Sequence, residues 1–270
     1  MSDDRGRLFT WGRARQFDGG NNTPLGPCYD PEGGCQSTPK REDRLSEDRV
    51  VCVALGHGFS LAVTDAGAVY SFGHSQHGAL GHGSLESEVL PRRITALAET
   101  GLRFVGVAAG FGHALALAEE GQVYGWGESC VNGHGQQSTL PWVAGTPQRV
   151  AALACQRVKL VHAQGYSSCA VTEKCELYTW GFGIPSSFHL GHGVGSAQQT
   201  PKRVEVLSRV KVATAAVSRH HTLAADTDGA VWAFGEPAAL RINSADAPLG
   251  DRVGQPTLIP NLLWRMLTFQ

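Results

Sequence analysis

Five times along this 270-residue chain, two aromatic residues two positions apart are followed by glycine. The copies are Phe9-Thr10-Trp11-Gly12, Tyr70-Ser71-Phe72-Gly73, Tyr124-Gly125-Trp126-Gly127, Tyr178-Thr179-Trp180-Gly181 and Trp232-Ala233-Phe234-Gly235. The last four glycines are 54 residues apart each time, and the first step, Gly12 to Gly73, is 61. A fixed period of this size marks one supersecondary unit copied along the chain, and it constrains the fold more than any composition does. Rings at i and i+2 of a strand leave the sheet on one face, which suits packing against a neighbouring sheet. The glycine that follows permits a turn other residues would strain.

Three other strands recur around each aromatic one. An apolar run after an arginine comes first: Arg49 to Ala54, Arg103 to Ala108, Arg157 to Val161 and Arg209 to Ala213. A short strand follows: Phe59 to Val63, His113 to Leu117, Ser168 to Val171 and His221 to Ala224. A hairpin turn such as Asp65-Ala66-Gly67 leads into the aromatic strand. After a loop containing Leu80-Gly81-His82-Gly83, Gly133-His134-Gly135 or Leu190-Gly191-His192-Gly193 comes a strand opened by proline, at Pro91, Pro147, Pro201 and Pro256. Proline cannot donate to a ladder, so this strand is expected at the outer edge of its sheet. Four antiparallel strands per repeat, with no convincing helical period, describe a blade of a β-propeller in an all-β chain.

Composition limits the function classes. Lys plus Arg is 23 and Asp plus Glu 24, a net charge of −1, so the basic excess of a phosphate-binding protein is missing and nucleic acid is an unlikely partner. Seven cysteines, an odd number, follow a start without an apolar h-region, which implies reduced thiols and an intracellular setting, with cytoplasm or cytoskeleton favoured. No apolar run approaches the ~18 residues of a membrane span.

The eleven histidines invite a metal or catalytic reading. Most recur once per unit (His82, His134 and His192 in the Gly-rich loop, His113 and His221 in the second strand), which fits a repeated hydrogen bond better than one active site. Cys28 and Cys35 are too far apart for a zinc pair, and Cys169 with Cys175 lacks a second pair. No nucleophile elbow, phosphate-binding loop or dinucleotide fingerprint is present. No enzyme activity, cofactor or metal is expected.

The run Val107-Ala108-Ala109-Gly110-Phe111-Gly112-His113-Ala114-Leu115-Ala116-Leu117 resembles the signature of the regulator of chromosome condensation repeat along its full length. Leu80-Gly81-His82-Gly83 and the Tyr-x-Trp-Gly copies match further parts of it, and the resemblance covers roughly residues 7 to 260. It implies a propeller, usually of seven blades, in a family that includes exchange factors, scaffolds, a photoreceptor and an inhibitor. The photoreceptor's Gly-Trp-Arg-His-Thr motif has no tryptophan here: its positions read Gly56-His57-Gly58-Phe59-Ser60, Gly110-Phe111-Gly112-His113-Ala114, Gly165-Tyr166-Ser167-Ser168-Cys169 and Ser218-Arg219-His220-His221-Thr222. The basic N-terminal tail of the exchange factor acting on Ran has no counterpart in Met1 to Arg7.

The expected layout is a single domain with a partial blade at 7–48 and blades at about 49–95, 103–150, 157–205 and 209–260, followed by an innermost strand at 262–269. The N-terminal unit lacks the first two strands of its blade. Four complete blades plus part of a fifth imply either an open arc or a composite closure between the termini, and an open edge invites a protein partner. The expected function is a non-enzymatic interaction scaffold, a structural subunit of a larger assembly, whose partner subunits contact the two terminal edges through Phe17, Asp18, Arg41, Arg44, Trp264 and Phe269. The alternative is nucleotide exchange on a small GTPase.

Overall fold

The computed structural model describes residues 6–13, 35–128, 131–135, 143–182, 189–193, 197–235 and 256–263. The 54-residue period appears as four antiparallel four-stranded sheets. The first contains β3 (Val50–Leu55), β4 (Phe59–Thr64), β5 (Val69–Gly73) and β6 (Glu88–Arg93). The second contains β7 (Phe104–Ala109), β8 (His113–Ala118), β9 (Val123–Glu128) and β10 (Val143–Arg149). β11 (Val158–Gln164), β12 (Ser167–Thr172), β13 (Leu177–Gly181) and β14 (Gln198–Arg203) form the third. β15 (Val212–Val217), β16 (His221–Asp226), β17 (Ala230–Gly235) and β18 (Thr257–Leu263) form the fourth. Ahead of them β1 (Phe9–Arg13) pairs with β2 (Cys35–Arg41) in a two-stranded sheet.

First strands of successive sheets pack on one another, β3 on β7, β7 on β11 and β11 on β15, so they are the innermost strands. The last sheet makes no substantial contact with the first among the described residues, which is the arrangement of an open arc of propeller blades.

Each blade-to-blade seam has one construction. The second strand is two-faced: Leu61 and Val63 of β4 point forward to the next blade, where they join Val107 and Ala109 of β7. Ala114, Ala116 and Ala118 of β8 point backward into that same cluster, while Leu115 and Leu117 point forward. Small residues backward and large ones forward let neighbouring sheets interdigitate. The second ring of each aromatic motif closes the seam. Trp126 and Trp180 are fully buried, and their indole N–H groups donate to Ala79 O at 2.8 Å and Val131 O at 3.0 Å in the preceding blade's loop. Gly81 and Gly191 make room for the ring: a Cβ there would stand 3.0 Å from the Trp126 Nε1 and 2.9 Å from the Phe234 ring.

Three details differ from the expectation. Pro256 stands directly before β18 and opens it as expected, but the other three prolines lie inside their outer strands. Pro91 and Pro201 lie in the middle of β6 and β14, where the register shifts between Ser71 and Gly73 and between Thr179 and Gly181. A bulge on an edge strand tolerates the missing N–H, so Glu88 and Gln198, each three positions ahead of the proline, still pair with Gly73 and Gly181. Secondly, a single helical turn follows β2, β6, β10 and β14, at Asp43–Leu45, Thr95–Ala98, Ala151–Leu153 and Glu205–Leu207. Each buries one leucine, Leu45, Leu97, Leu153 or Leu207. Thirdly, β18 runs through Leu263, so Leu262 and Leu263 belong to the outer strand of the last sheet rather than to a separate innermost strand. Residues 264–269 lie outside the described residues.

Candidate functional site

Comparing equivalent positions of the four innermost strands exposes the first one. Val53 and Leu55 of β3 correspond to Val107 and Ala109 of β7, to Val161 and Ala163 of β11, and to Ala215 and Val217 of β15. In the later blades these side chains face the preceding blade's second strand. Ala109, Ala163 and Val217 keep only 6%, 6% and 2% of their surface, whereas Leu55 keeps 76% and Val53 keeps 37%. The neighbour they require would be the second strand of the N-terminal blade. Among the described residues that blade contributes β1 and β2, the equivalents of a third and a fourth strand. Its own sheet is anchored by Leu8 and Leu45 against Val50, Ala62 and Phe72.

The same deficit appears on the outward side of that partial blade and at the far end of the arc. Trp11 is the second ring of its motif, yet it is 44% exposed where Phe72, Trp126, Trp180 and Phe234 are buried. In the last blade Leu223 of β16 is 38% exposed, whereas its forward-facing counterparts Leu61, Leu115 and Cys169 are buried. Both terminal faces therefore present half of a seam that is complete three times inside the molecule. Exposed apolar groups of this kind mark contact surfaces.

Among the residues expected at a partner surface, Phe17, Asp18, Trp264 and Phe269 lie outside the described residues. Arg41 and Arg44 are exposed at the outer rim. The Arg41 Nε is 4.0 Å from Asp43 Oδ1, and the backbone N–H of Arg44 donates to Glu42 Oε1 at 3.0 Å. Arg44 lines an open groove of about 510 Å³ with Glu88, Pro91, Arg92 and Arg93. This groove is beside the outer strand β6, not on the innermost strand that carries Val53 and Leu55. Val53, Leu55, Trp11 and Leu223 were not among the candidates drawn from sequence. Hydrophobicity alone does not single them out, because every blade has apolar residues there.

The repeated histidines have structural partners. Ser71 Oγ donates to Leu80 O at 2.6 Å and pairs with His82 Nε2 at 2.9 Å, and Thr179 Oγ1 does the same with Leu190 O and His192. In the second blade, where that position is Gly125, His134 Nε2 donates directly to the Gly125 carbonyl at 2.9 Å. Burial holds all three imidazoles below their ordinary pKa, with the Arg92 charge adding to the effect at His82. His113 is completely buried, paired with Ser168 Oγ of the next blade at 2.7 Å; its Nδ1 has no partner, and burial pushes its pKa down to about 3. Burial likewise pushes the Cys169 thiol up to about 12, the opposite of an activated nucleophile. Among the described residues no group of three or more His, Cys, Asp or Glu is placed to hold a metal ion.

On the loops after the innermost strands, His57 stacks on Phe111 at 4.2 Å, and Phe111 lies 5.0 Å from Tyr166. Backbone bonds run alongside, from His57 N to Gly110 O at 3.1 Å and from Phe111 N to Gly165 O at 2.6 Å. These rings spend their faces on one another and tie three blades together. No helix among the described residues is long and apolar enough to cross a membrane.

Known proteins place these features. Models of the regulator of chromosome condensation (RCC1) repeat match residues 66–117 and 176–225, and a second such model matches residues 104–136. The chain is 34% identical over 235 residues to the human E3 ubiquitin-protein ligase HERC2, covering 86% of this chain and 5% of that protein. It is 34% identical to the mitochondrial RCC1 domain-containing protein RUG3 of Arabidopsis thaliana (76% of this chain, 44% of that protein). To the ultraviolet-B receptor UVR8 of the same plant it is 30% identical (75% and 43%). The chain thus spans less than half the length of these curated relatives. Yeast RCC1 (Prp20) bound to Kap60 superposes with a TM-score of 0.74 at 21% identity, over 95% of this chain and 57% of that one. Human WBSCR16 superposes with a TM-score of 0.73 at 20% identity, over 94% and 66%. With RCC1 repeats in sequence and four four-stranded blades beside a two-stranded sheet, this chain belongs to the regulator of chromosome condensation (RCC1) repeat family.

Proposed function

We propose that this chain is a non-enzymatic protein–protein interaction scaffold, a structural subunit whose partners engage its two terminal blade faces inside the cell. The observation that carries the reading is Leu55, 76% exposed where its three counterparts are almost completely covered. An aliphatic side chain of this size contributes about 1.5–3 kcal/mol when taken out of water, so a protein partner gains most there. The exposed Arg41 and Arg44 are proposed as polar rim contacts, the usual surround of an apolar interface core. The buried, neutral histidines and the raised Cys169 pKa support a role without bond chemistry.

The test is partner retention. Tagged wild-type chain and the variants Leu55→Glu and Leu223→Glu are purified from the same cells and their co-purifying proteins quantified. We expect loss of specific partners from at least one variant with unchanged melting temperature; identical partner sets would overturn the reading. The second reading is nucleotide exchange, supported by the likeness to Prp20p, a structure described with its binding to Gsp1p and histones. It requires accelerated release of a fluorescent nucleotide from a small GTPase, and no acceleration across a panel would remove it.

A further inference from the structure

We propose that the β1–β2 sheet is a proton-controlled latch, which docks on the neighbouring blade while Glu42 is neutral and loosens from it when Glu42 ionises. Nothing in this device depends on which partner the chain binds. Four units share one local geometry. The residue after β2, β6, β10 or β14 donates its backbone N–H to the strand opposite: Glu42 to Leu8 O, Ile94 to Val69 O, Val150 to Val123 O and Val204 to Leu177 O, all at 2.8 or 2.9 Å. The same residue then caps the helical turn that follows. In three units it is aliphatic, 1% exposed, and packed in a seam with the next blade's second aromatic ring: Ile94 with Trp126, Val150 with Trp180, Val204 with Phe234. In the β1–β2 unit that buried position holds a carboxylic acid, Glu42, only 3% exposed.

Glu42 Oε1 accepts the Arg44 backbone N–H at 3.0 Å, while Oε2 is buried without a hydrogen-bond partner. A buried carboxylate is costly when charged unless it is fully paired, and a proton removes that cost. Burial accordingly raises the Glu42 pKa; the Arg44 backbone bond lowers it, Asp43 raises it, and the Arg44 and Lys40 charges lower it without reversing the outcome. On the packed elements, Asp48 accepts from the Tyr70 hydroxyl at 3.5 Å, Arg93 acts on the same Tyr70, Arg92 pairs with Glu88, Arg49 runs alongside Gly6, and Arg7 lies over the Phe9 ring. None of these groups bonds Oε2. A second orphan lies in the same unit. Thr10 Oγ1 is buried without a partner, where its counterparts Ser71 and Thr179 bond a loop carbonyl and a histidine. The contact is otherwise made by Leu8 and Leu45 on Val50, Ala62 and Phe72, with Val50 N donating to Gly6 O at 2.8 Å. The docked state thus holds the Glu42 proton more tightly than the released state. Docking is fully supported below the released-state pKa of 4.5 and weakens as pH rises through the raised docked value. The buried histidines His82, His113, His134 and His192 drive the other seams the opposite way, since their neutral forms are favoured as pH rises.

The experiment is native-state hydrogen exchange on the full chain, followed from pH 4.5 upward and corrected for the intrinsic pH dependence of exchange. Protection of the β1 and β2 amides should fall by up to about tenfold per pH unit as Glu42 ionises and then level off. Amides of β8 and β12 should become more protected over the same range. Glu42→Gln keeps an acceptor for the Arg44 N–H and should abolish the fall. Glu42→Val copies Val150 and Val204, and should also raise β1 and β2 protection above wild type at the alkaline end. Asp43→Asn, at the exposed neighbour, should leave the wild-type fall intact. A carbon-13 titration of the Glu42 carboxyl should give a midpoint above 4.5. Protection of β1 and β2 that stays flat or rises with pH would overturn the proposal. So would a fall that survives in Glu42→Gln or vanishes in Asp43→Asn, or a Glu42 midpoint at or below 4.5.

Discussion

Trp126 gives the sharpest account of what one seam is worth. Its ring is fully buried between two blades, in the cluster with Leu61, Leu80 and Ile94, and its N–H donates to Ala79 O at 2.8 Å. Trp126→Ala removes the ring and leaves a cavity that two strand layers cannot close, at a cost of about 3–5 kcal/mol. Trp126→Phe separates the contributions. Phe234 shows that a phenyl ring fits this position against the loop glycine, so the ring survives and the Ala79 carbonyl loses its donor, at a cost of about 1–3 kcal/mol. The assay is urea unfolding followed by circular dichroism, in which a shifted midpoint at constant slope reports stability alone. A lowered slope for the alanine variant would show the blades uncoupling, as nearest-neighbour arrays do. A loss below ~1 kcal/mol for Trp126→Ala, or equal losses for the two variants, would refute the seam as described.

Two further outcomes follow from buried groups. His113 is favoured neutral in the fold, so below its unfolded pKa of 6.5 the unfolded chain takes up a proton that the fold refuses until about pH 3. Its contribution is fully present above pH 6.5 and is lost as pH falls towards 3, with a slope approaching ~1.4 kcal/mol per pH unit. His82, His134, His162 and His192 are shifted the same way by burial, so urea midpoints should drop through this window, and a flat profile would contradict the buried neutral pairing. Gly127 has φ +92°, and a Cβ there would stand 2.3 Å from Gly112 O, so Gly127→Ala should cost more than about 3 kcal/mol. Gly101 has φ +69° with open space around it, so Gly101→Ala should cost only about 1–2 kcal/mol; thermal melts with equal losses would refute the close approach.

The periodic part of the fold is legible in sequence because the same burial recurs at one spacing. Phe72, Trp126, Trp180 and Phe234 are covered by the same neighbours in each repeat, and the resemblance to the condensation-regulator repeat rests on the same glycines and aliphatics. The helical turns at Leu45, Leu97, Leu153 and Leu207 are not legible by period, since three or four residues with one buried leucine are too short to show one. The proline positions mislead because a bulge lets pairing start ahead of the residue that cannot donate. The terminal faces are hidden for a different reason. Leu55 and Val217 are equivalent apolar positions in equivalent strands, and only the presence of a neighbouring strand makes one buried and the other bare. Burial of that kind is a property of the assembly of blades, so the candidate surface appears only once the seams are compared.

Labelling rates at two equivalent positions report directly whether the N-terminal blade face is an open half-seam. Leu55→Cys and Ala109→Cys place a thiol at the same point of the first and second innermost strands, 76% and 6% exposed. Reaction of native protein with a small maleimide, read by peptide mass spectrometry, should modify position 55 at the rate of an unfolded control. Position 109 should react at least about tenfold more slowly, because it must wait for the seam to open. Equal protection at both positions would show that the first seam is already covered and would contradict the account.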